Sequence, residues 1–238
     1  MSSKKSTPDS NLSRGVRSQT LERALDTLQL LADGRQRTSR ELAEELELHR
    51  SIVYRILRTF EDYSLVARSP DGRFRIGLGM TALAKSGIGD LEIAIADVLQ
   101  ELSNVTSATA VFCAQQRDDA VVLSSARPTQ SPASVAIRVG SRFPVGTSAP
   151  GLALLSLQPP NSDDADEVAL ARQTGYVHTK GTPFIGLEAV ASAVRMPGGQ
   201  GASISLLFPL GNGDVPLMAN ELRTYSERLT SPSDAWQL

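Results

Sequence analysis

Cysteine occurs once in the 238 residues, at Cys113, so an internal disulfide and a cysteine-built metal cage are both excluded. Histidine is nearly as scarce. His49 and His178 have no second histidine or carboxylate at a spacing that suggests a metal site. Cys113 sits in an apolar strand-like stretch, where cysteine is a small core residue rather than a nucleophile. Ser148 lies in "GTSAPG", which is not a Gly-x-Ser-x-Gly elbow. With no catalytic constellation to assemble, the chain is expected to be no enzyme and to need no cofactor. Long apolar runs are missing too, so no membrane span is expected. Residues 1–17 are polar, with Ser, Lys and Pro and no apolar stretch. They read as a disordered tail, neither secretory signal nor anchor, and the cytoplasm is the expected compartment.

Net charge is small, −2, but unevenly placed. Residues 1–80 hold 14 Lys and Arg against 11 Asp and Glu; the remainder hold 10 against 15. A basic front half on an acidic back half points to a polyanion that meets only the front. The length suits two modest domains.

In "SQTLERALDTLQLLADG", Leu21, Leu25, Leu28 and Leu31 form one apolar stripe before Gly34, a natural stop. In "TSRELAEELEL", Thr38 and Glu41 have the spacing of a capping box. The third segment, "HRSIVYRILRTF", is capped at or just before Ser51 and has two faces. Ile52, Val53, Ile56, Leu57 and Phe60 pack on the other two helices; Arg50, Ser51, Tyr54, Arg55 and Arg58 point away. Leu65–Arg68 and Arg73–Ile76 then alternate like strands around the turn Pro70-Asp71-Gly72. Three short helices and a hairpin describe a winged helix-turn-helix, with the third helix in the DNA major groove. Arginine can fork onto a guanine edge or a phosphate, and Ser and Tyr suit phosphate or base edges. The expected DNA-binding set is Thr38, Ser39, Arg40, Arg50, Ser51, Tyr54, Arg55, Arg58, Arg73 and Arg75. The bland alternative is a winged helix used only for protein contact.

These three stretches, with "DGRFRIGLGMTALAKSG", resemble the N-terminal half of an IclR-type transcriptional regulator, and a looser likeness continues to about Thr230. The resemblance implies an α+β chain: a winged helix-turn-helix (18–80), a linker helix region (81–103), and a GAF-like antiparallel-sheet domain (104–238) for effector binding and oligomerisation. It further implies a homodimer or homotetramer on promoter DNA, with no membrane partner.

In the second domain, "ATAVFCAQ", "AVVLSSAR" and "SVAIRVG" read as strands, followed by a helix opening in "VGTSAPGLALLSL". "GLEAVASAVR" and "ASISLLFPL" are two more strands, and an amphipathic helix covers about Val215 to Leu229. Gly146, Thr147 and Ser148 precede a helix that Pro150 can open, so free N–H groups there could hold a small anion; ordinary capping explains them equally well. In the relatives this loop borders the effector pocket. The expected effector-binding set is Gly146, Thr147, Ser148, Ala149, Leu187, Ala189, Ser203 and Ser205, with Val190 as a further wall and His178 in a polar loop. The chain departs from the family at Leu152, where a lysine is usual, near Thr182, where an acid is usual, and at Ala193, where proline is common. The effector class is thereby left open, an organic acid being one candidate. The expected function is a ligand-responsive DNA-binding regulator; the alternative is a sensor module acting through a protein partner.

Overall fold

The computed structural model describes residues 18–130, 134–196 and 198–230. The expected tail at 1–17 and the last eight residues of the expected second domain lie outside these. Two compact units meet between Leu83 and Ala84.

The first unit holds α1 (Gln19–Leu31), α2 (Ser39–Glu45), α3 (Arg50–Asp62) and a hairpin of β1 (Val66–Arg68) and β2 (Phe74–Ile76). Each helix start has a side-chain cap: Ser18 for α1, Thr38 with Glu41 in a full capping box for α2, and His49 for α3. Helices this short are not stable alone and must pack. They do so around Leu31, Leu42, Val53, Leu57, Val66 and Phe74, all buried. The stripe expected along α1 is buried only at its C-terminal end. Leu31 is buried and Leu28 packs beside it, whereas Leu21 is 59% and Leu25 47% exposed. Thr27 replaces them in the buried arc by satisfying its hydroxyl on the Arg23 carbonyl, 2.8 Å away.

The hairpin is pinned from one side by an isolated backbone bridge. Arg37 N–H donates to Phe74 O at 3.1 Å, and Phe74 N–H donates back to Arg37 O at 2.7 Å. Arg37 is only 6% exposed. It forks onto Asp33 at 2.8 and 2.7 Å, reaches Glu45 at 3.0 Å and donates to Leu30 O at 2.9 Å. One buried guanidinium thus ties the ends of α1 and α2 together beside the wing.

A long helix α4 (Gly79–Thr106), broken in its dihedrals at Ile88, is followed by β3 (Thr109–Gln116), β4 (Asp119–Ala126), β5 (Arg142–Pro144), α5 (Ala149–Ser156), α6 (Asp166–Thr174), β6 (Val177–Lys180), β7 (Leu187–Arg195), β8 (Gly201–Pro209) and α7 (Val215–Thr230). The six strands form one antiparallel sheet in the order β5-β4-β3-β8-β7-β6. Alternation divides each strand between two cores. Phe112, Val190, Ile204 and Leu206 meet α4 and α7; Val111, Cys113, Ala189, Ala191 and Leu207 meet α5 and α6. This is the winged helix-turn-helix plus GAF-like α+β architecture.

Two strand-level expectations are corrected. Residues 134–140 form no strand: the Thr109 and Ser125 hydroxyls take the Val135 and Ile137 carbonyls, so side chains replace a ladder, and β5 is the paired edge. Val190 belongs to the α7 face, because consecutive residues of a strand point to opposite sides and Ala189 faces α5.

Candidate DNA-binding face and effector pocket

On α3, Val53, Ile56 and Leu57 are buried while Arg50, Ser51, Tyr54, Arg55 and Arg58 are exposed, as the two-faced pattern requires. The side chains of Arg50, Arg55 and Arg58 make no hydrogen bond or ion pair among the described residues. Their charge is uncommitted. The Ser51 hydroxyl, by contrast, lies 2.7 Å from His49 Nδ1, and that nitrogen also accepts from Ser51 N–H.

The flanking residues are more occupied. Thr38 spends its hydroxyl in the capping box, and its N–H and hydroxyl hold the Glu41 carboxyl below the ordinary carboxylate range. Ser39 is half-buried, and Arg40 pairs with Glu44 at 2.8 Å. Arg73 is bound by Glu41 at 3.2 Å, by the Gln36 carbonyl at 3.2 Å and by Asp71 at 3.5 Å. Arg73 therefore anchors the wing to the start of α2. Arg75 is exposed. Arg68, absent from the expected set, is exposed on the neighbouring strand with its guanidinium 5.5 Å from the Phe74 ring centroid.

The second unit contains a small cavity of about 10 Å³ between the start of α5 and the strap 181–186. Its walls include Phe143, Ala149, Pro150, Phe184, Leu187 and Leu207. Ala189 also lines it, so three of the eight expected effector residues, Ala149, Leu187 and Ala189, converge there. Ser148 is fully buried and caps α5: its hydroxyl donates to Pro144 O at 2.6 Å and accepts from Gly151 N–H at 3.2 Å. Gly146 and Thr147 are exposed on the preceding loop and are not among the lining residues. Ser203 and Ser205 lie on the α5 face beyond Leu207, fully buried with unpartnered hydroxyls, and do not line the cavity either. A larger opening of about 330 Å³, lined by Ile88, Leu91, Phe112, Leu123 and Met196 among others, lies away from the expected residues.

Sequence reasoning passed over Phe143 and Phe184, whose rings meet edge to face at 5.9 Å across the cavity. No local pattern marks them, since their segments join only in the folded domain. His178 is on β6 rather than in a loop, and its Nε2 donates to Glu188 at 2.6 Å. Glu188, also passed over, is buried and accepts from Gly211 N–H at 2.8 Å. That N–H first, and His178 and Lys180 after it, keep its carboxyl below the ordinary range despite burial. Cys113 is buried, and burial pushes its thiol up to about 12, which suits a core residue. No helix of the described residues is long and apolar enough to cross a membrane.

Residues 20–70 match the IclR helix-turn-helix domain. Over 144 residues, 60% of this chain, the sequence is 33% identical to the HTH-type transcriptional regulator Rv1719 of Mycobacterium tuberculosis. The match spans 55% of that relative's length. The fold is similar to that of an IclR transcriptional regulator from Alicyclobacillus acidocaldarius, with a TM-score of 0.76 at 24% identity over 90% of this chain and 98% of that one. It is also similar to an IclR homolog from Microbacterium hydrocarbonoxydans complexed with 4-hydroxybenzoate, with a TM-score of 0.71 at 20% identity over 89% and 97% of the two chains. Residues 20–70, which carry the arginine face, thus match an IclR helix-turn-helix domain, and the chain has a fold similar to that of solved IclR-type transcriptional regulators.

Proposed function

We propose that the protein is a ligand-responsive transcriptional regulator that binds promoter DNA in the cytoplasm as a dimer or a dimer of dimers. The observation that carries this reading is the α3 face, where Arg50, Arg55 and Arg58 are exposed and have no protein partner among the described residues. Three free guanidiniums on one short helix present a positive face that phosphates and guanine edges can meet. Arg75 and Arg68 add two further exposed guanidiniums on the wing. Thr38, Ser39, Arg40 and Arg73 belong to its rim, Thr38 and Arg73 chiefly by holding the wing and α2 in place.

Self-association is supported by Leu21 and Leu25, large exposed apolar side chains on α1. Effector control is supported by the pocket under α5 and by the neighbour solved with 4-hydroxybenzoate. An effector would act by binding one dimer geometry better than another, changing how two recognition helices match their half-sites.

The test is titration of the protein against its own upstream intergenic DNA at two salt concentrations, with unrelated DNA as competitor. Tight binding that weakens with salt and survives the competitor is expected. Absence of binding even at low salt would refute the reading and favour a sensor that acts through a protein partner.

A further inference from the structure

The start of α5 looks like an anion site but has few donors left. Of its first four residues, Pro150 has no N–H, Gly151 N–H is taken by the Ser148 hydroxyl, and Leu152 N–H by the Ser148 carbonyl. The N–H groups of Thr147 and Ser148 both turn back to Pro144 O. Among the residues bordering the cavity, Ala149 N–H is the one helix-start donor without a partner. No cation lines the cavity, and its sole ionisable lining residue is Glu188, an acid. The remaining walls are aromatic, aliphatic or proline, with Thr182 as the one hydroxyl.

We propose that this pocket selects uncharged ring compounds, of the phenol or alcohol class, over carboxylates. The inference rests on the reading of the second unit as an effector domain and names the ligand class of that site. A carboxylate entering here would lose its water and find only Ala149 N–H and the Thr182 hydroxyl in return, with no cation among the lining residues, which disfavours it strongly. A neutral ring loses little and gains apolar contact, while one hydroxyl can be served by Ala149 N–H or Thr182. Room for the ring comes from Phe184. That side chain is 44% exposed and closes the cavity edge-on against Phe143. It sits on a strap whose ends, Gly181 and Gly186, have φ of 68° and 86°, conformations that glycine adopts without strain. A ligand ring that displaces Phe184 would take over its contact with Phe143.

The deciding residue is Pro150. Isothermal titration of the full-length protein with phenol and with benzoate at pH 7 should show benzoate binding at least about tenfold more weakly. Pro150→Ala restores an N–H at the helix start and should tighten benzoate about tenfold while leaving phenol nearly unchanged. Ala189→Phe, which fills the cavity, should abolish phenol binding; Phe184→Ala, at a half-exposed position, should not. Benzoate binding wild type as tightly as phenol would overturn the ligand class and leave the regulator reading standing. So would a Pro150→Ala protein with unaltered benzoate affinity. Failure of both probes at millimolar concentration would overturn the proposal, and operator binding measured on the same sample would show whether the parent reading falls with it.

Discussion

Arg37→Ala should destabilise the DNA-binding unit by about 4 kcal/mol. The guanidinium is nearly inaccessible, and its three methylenes contribute about 2 kcal/mol of burial at ~0.8 per methylene. The carboxylates it pairs with are 40% and 45% exposed at Asp33 and Glu45, so solvent screens both pairs to roughly 0.5–1 kcal/mol each. The hydrogen bond to the Leu30 carbonyl adds about 1 kcal/mol. Hydrogen exchange read by mass spectrometry over α1 to α3 in the full chain isolates this unit from the sheet domain. A loss under about 1 kcal/mol would refute the reasoning, because a buried arginine that contributes so little is not the tie described above.

The same pair makes a pH prediction. The Arg37 side chain holds the Asp33 carboxyl at about 2 against an ordinary 3.8. The folded value is the lower one, so this stabilisation is fully present above pH ~4 and fades as pH falls toward 2. Unscreened, the difference corresponds to about 2 kcal/mol. For a carboxylate this exposed, about 1 kcal/mol is realistic. The gap between wild type and Arg37→Ala should therefore narrow by about 1 kcal/mol between pH 6 and pH 2.5. A gap that does not change with pH would show that Asp33 is not the partner.

Three further outcomes are expected. Arg55→Ala should weaken operator binding by roughly 1–3 kcal/mol if the side chain reads a base, or weaken binding to all DNA and flatten the salt slope by about one if it touches phosphate; gel shifts at several salt concentrations separate these, and unchanged affinity on every DNA would remove α3 from the interface. Gly151→Ala should destabilise the sheet domain by about 3 kcal/mol in urea melts, because the added Cβ would stand 2.4 Å from Val145 Cα; a gain of about 1 kcal/mol, the ordinary helix preference for alanine, would show that this close approach does not exist. Glu188→Ala should cost about 2–3 kcal/mol, since Gly211 N–H and His178 lose a charged acceptor. Because the folded Glu188 carboxyl titrates below its ordinary 4.5, its stabilisation is present above that pH and lost on acidification, so the variant should show a flatter acid limb.

The helix-turn-helix unit was legible in the sequence because its determinants are local. Thr38 and Glu41 are three residues apart, the apolar and arginine faces of α3 follow from helical period, and the turn at Gly72 lies between two short strands. What local pattern could not decide is how much of a helix finds a partner: Leu21 and Leu25 repeat like Leu31 but overhang the packed end of α1. Nor could it show that Arg73 and Arg37 are spent inside the unit, for their partners come from other elements.

In the sheet domain the strands β3, β4, β7 and β8 and the start of α5 were legible in the sequence, and strand alternation sets Leu187 and Ala189 on one face. Only the tertiary structure decided which residues meet across the pocket. Phe143 and Phe184 are some forty positions apart, on segments attached to opposite edges of the sheet, and no window of the sequence shows that their rings meet. The same holds for the missing donor. Pro150 reads in the sequence as a good helix opener, and only the folded domain sets its absent N–H beside a cavity. A helix cap is local chemistry, fixed by neighbours in the chain, whereas a binding site is a sum over distant segments that only packing brings together.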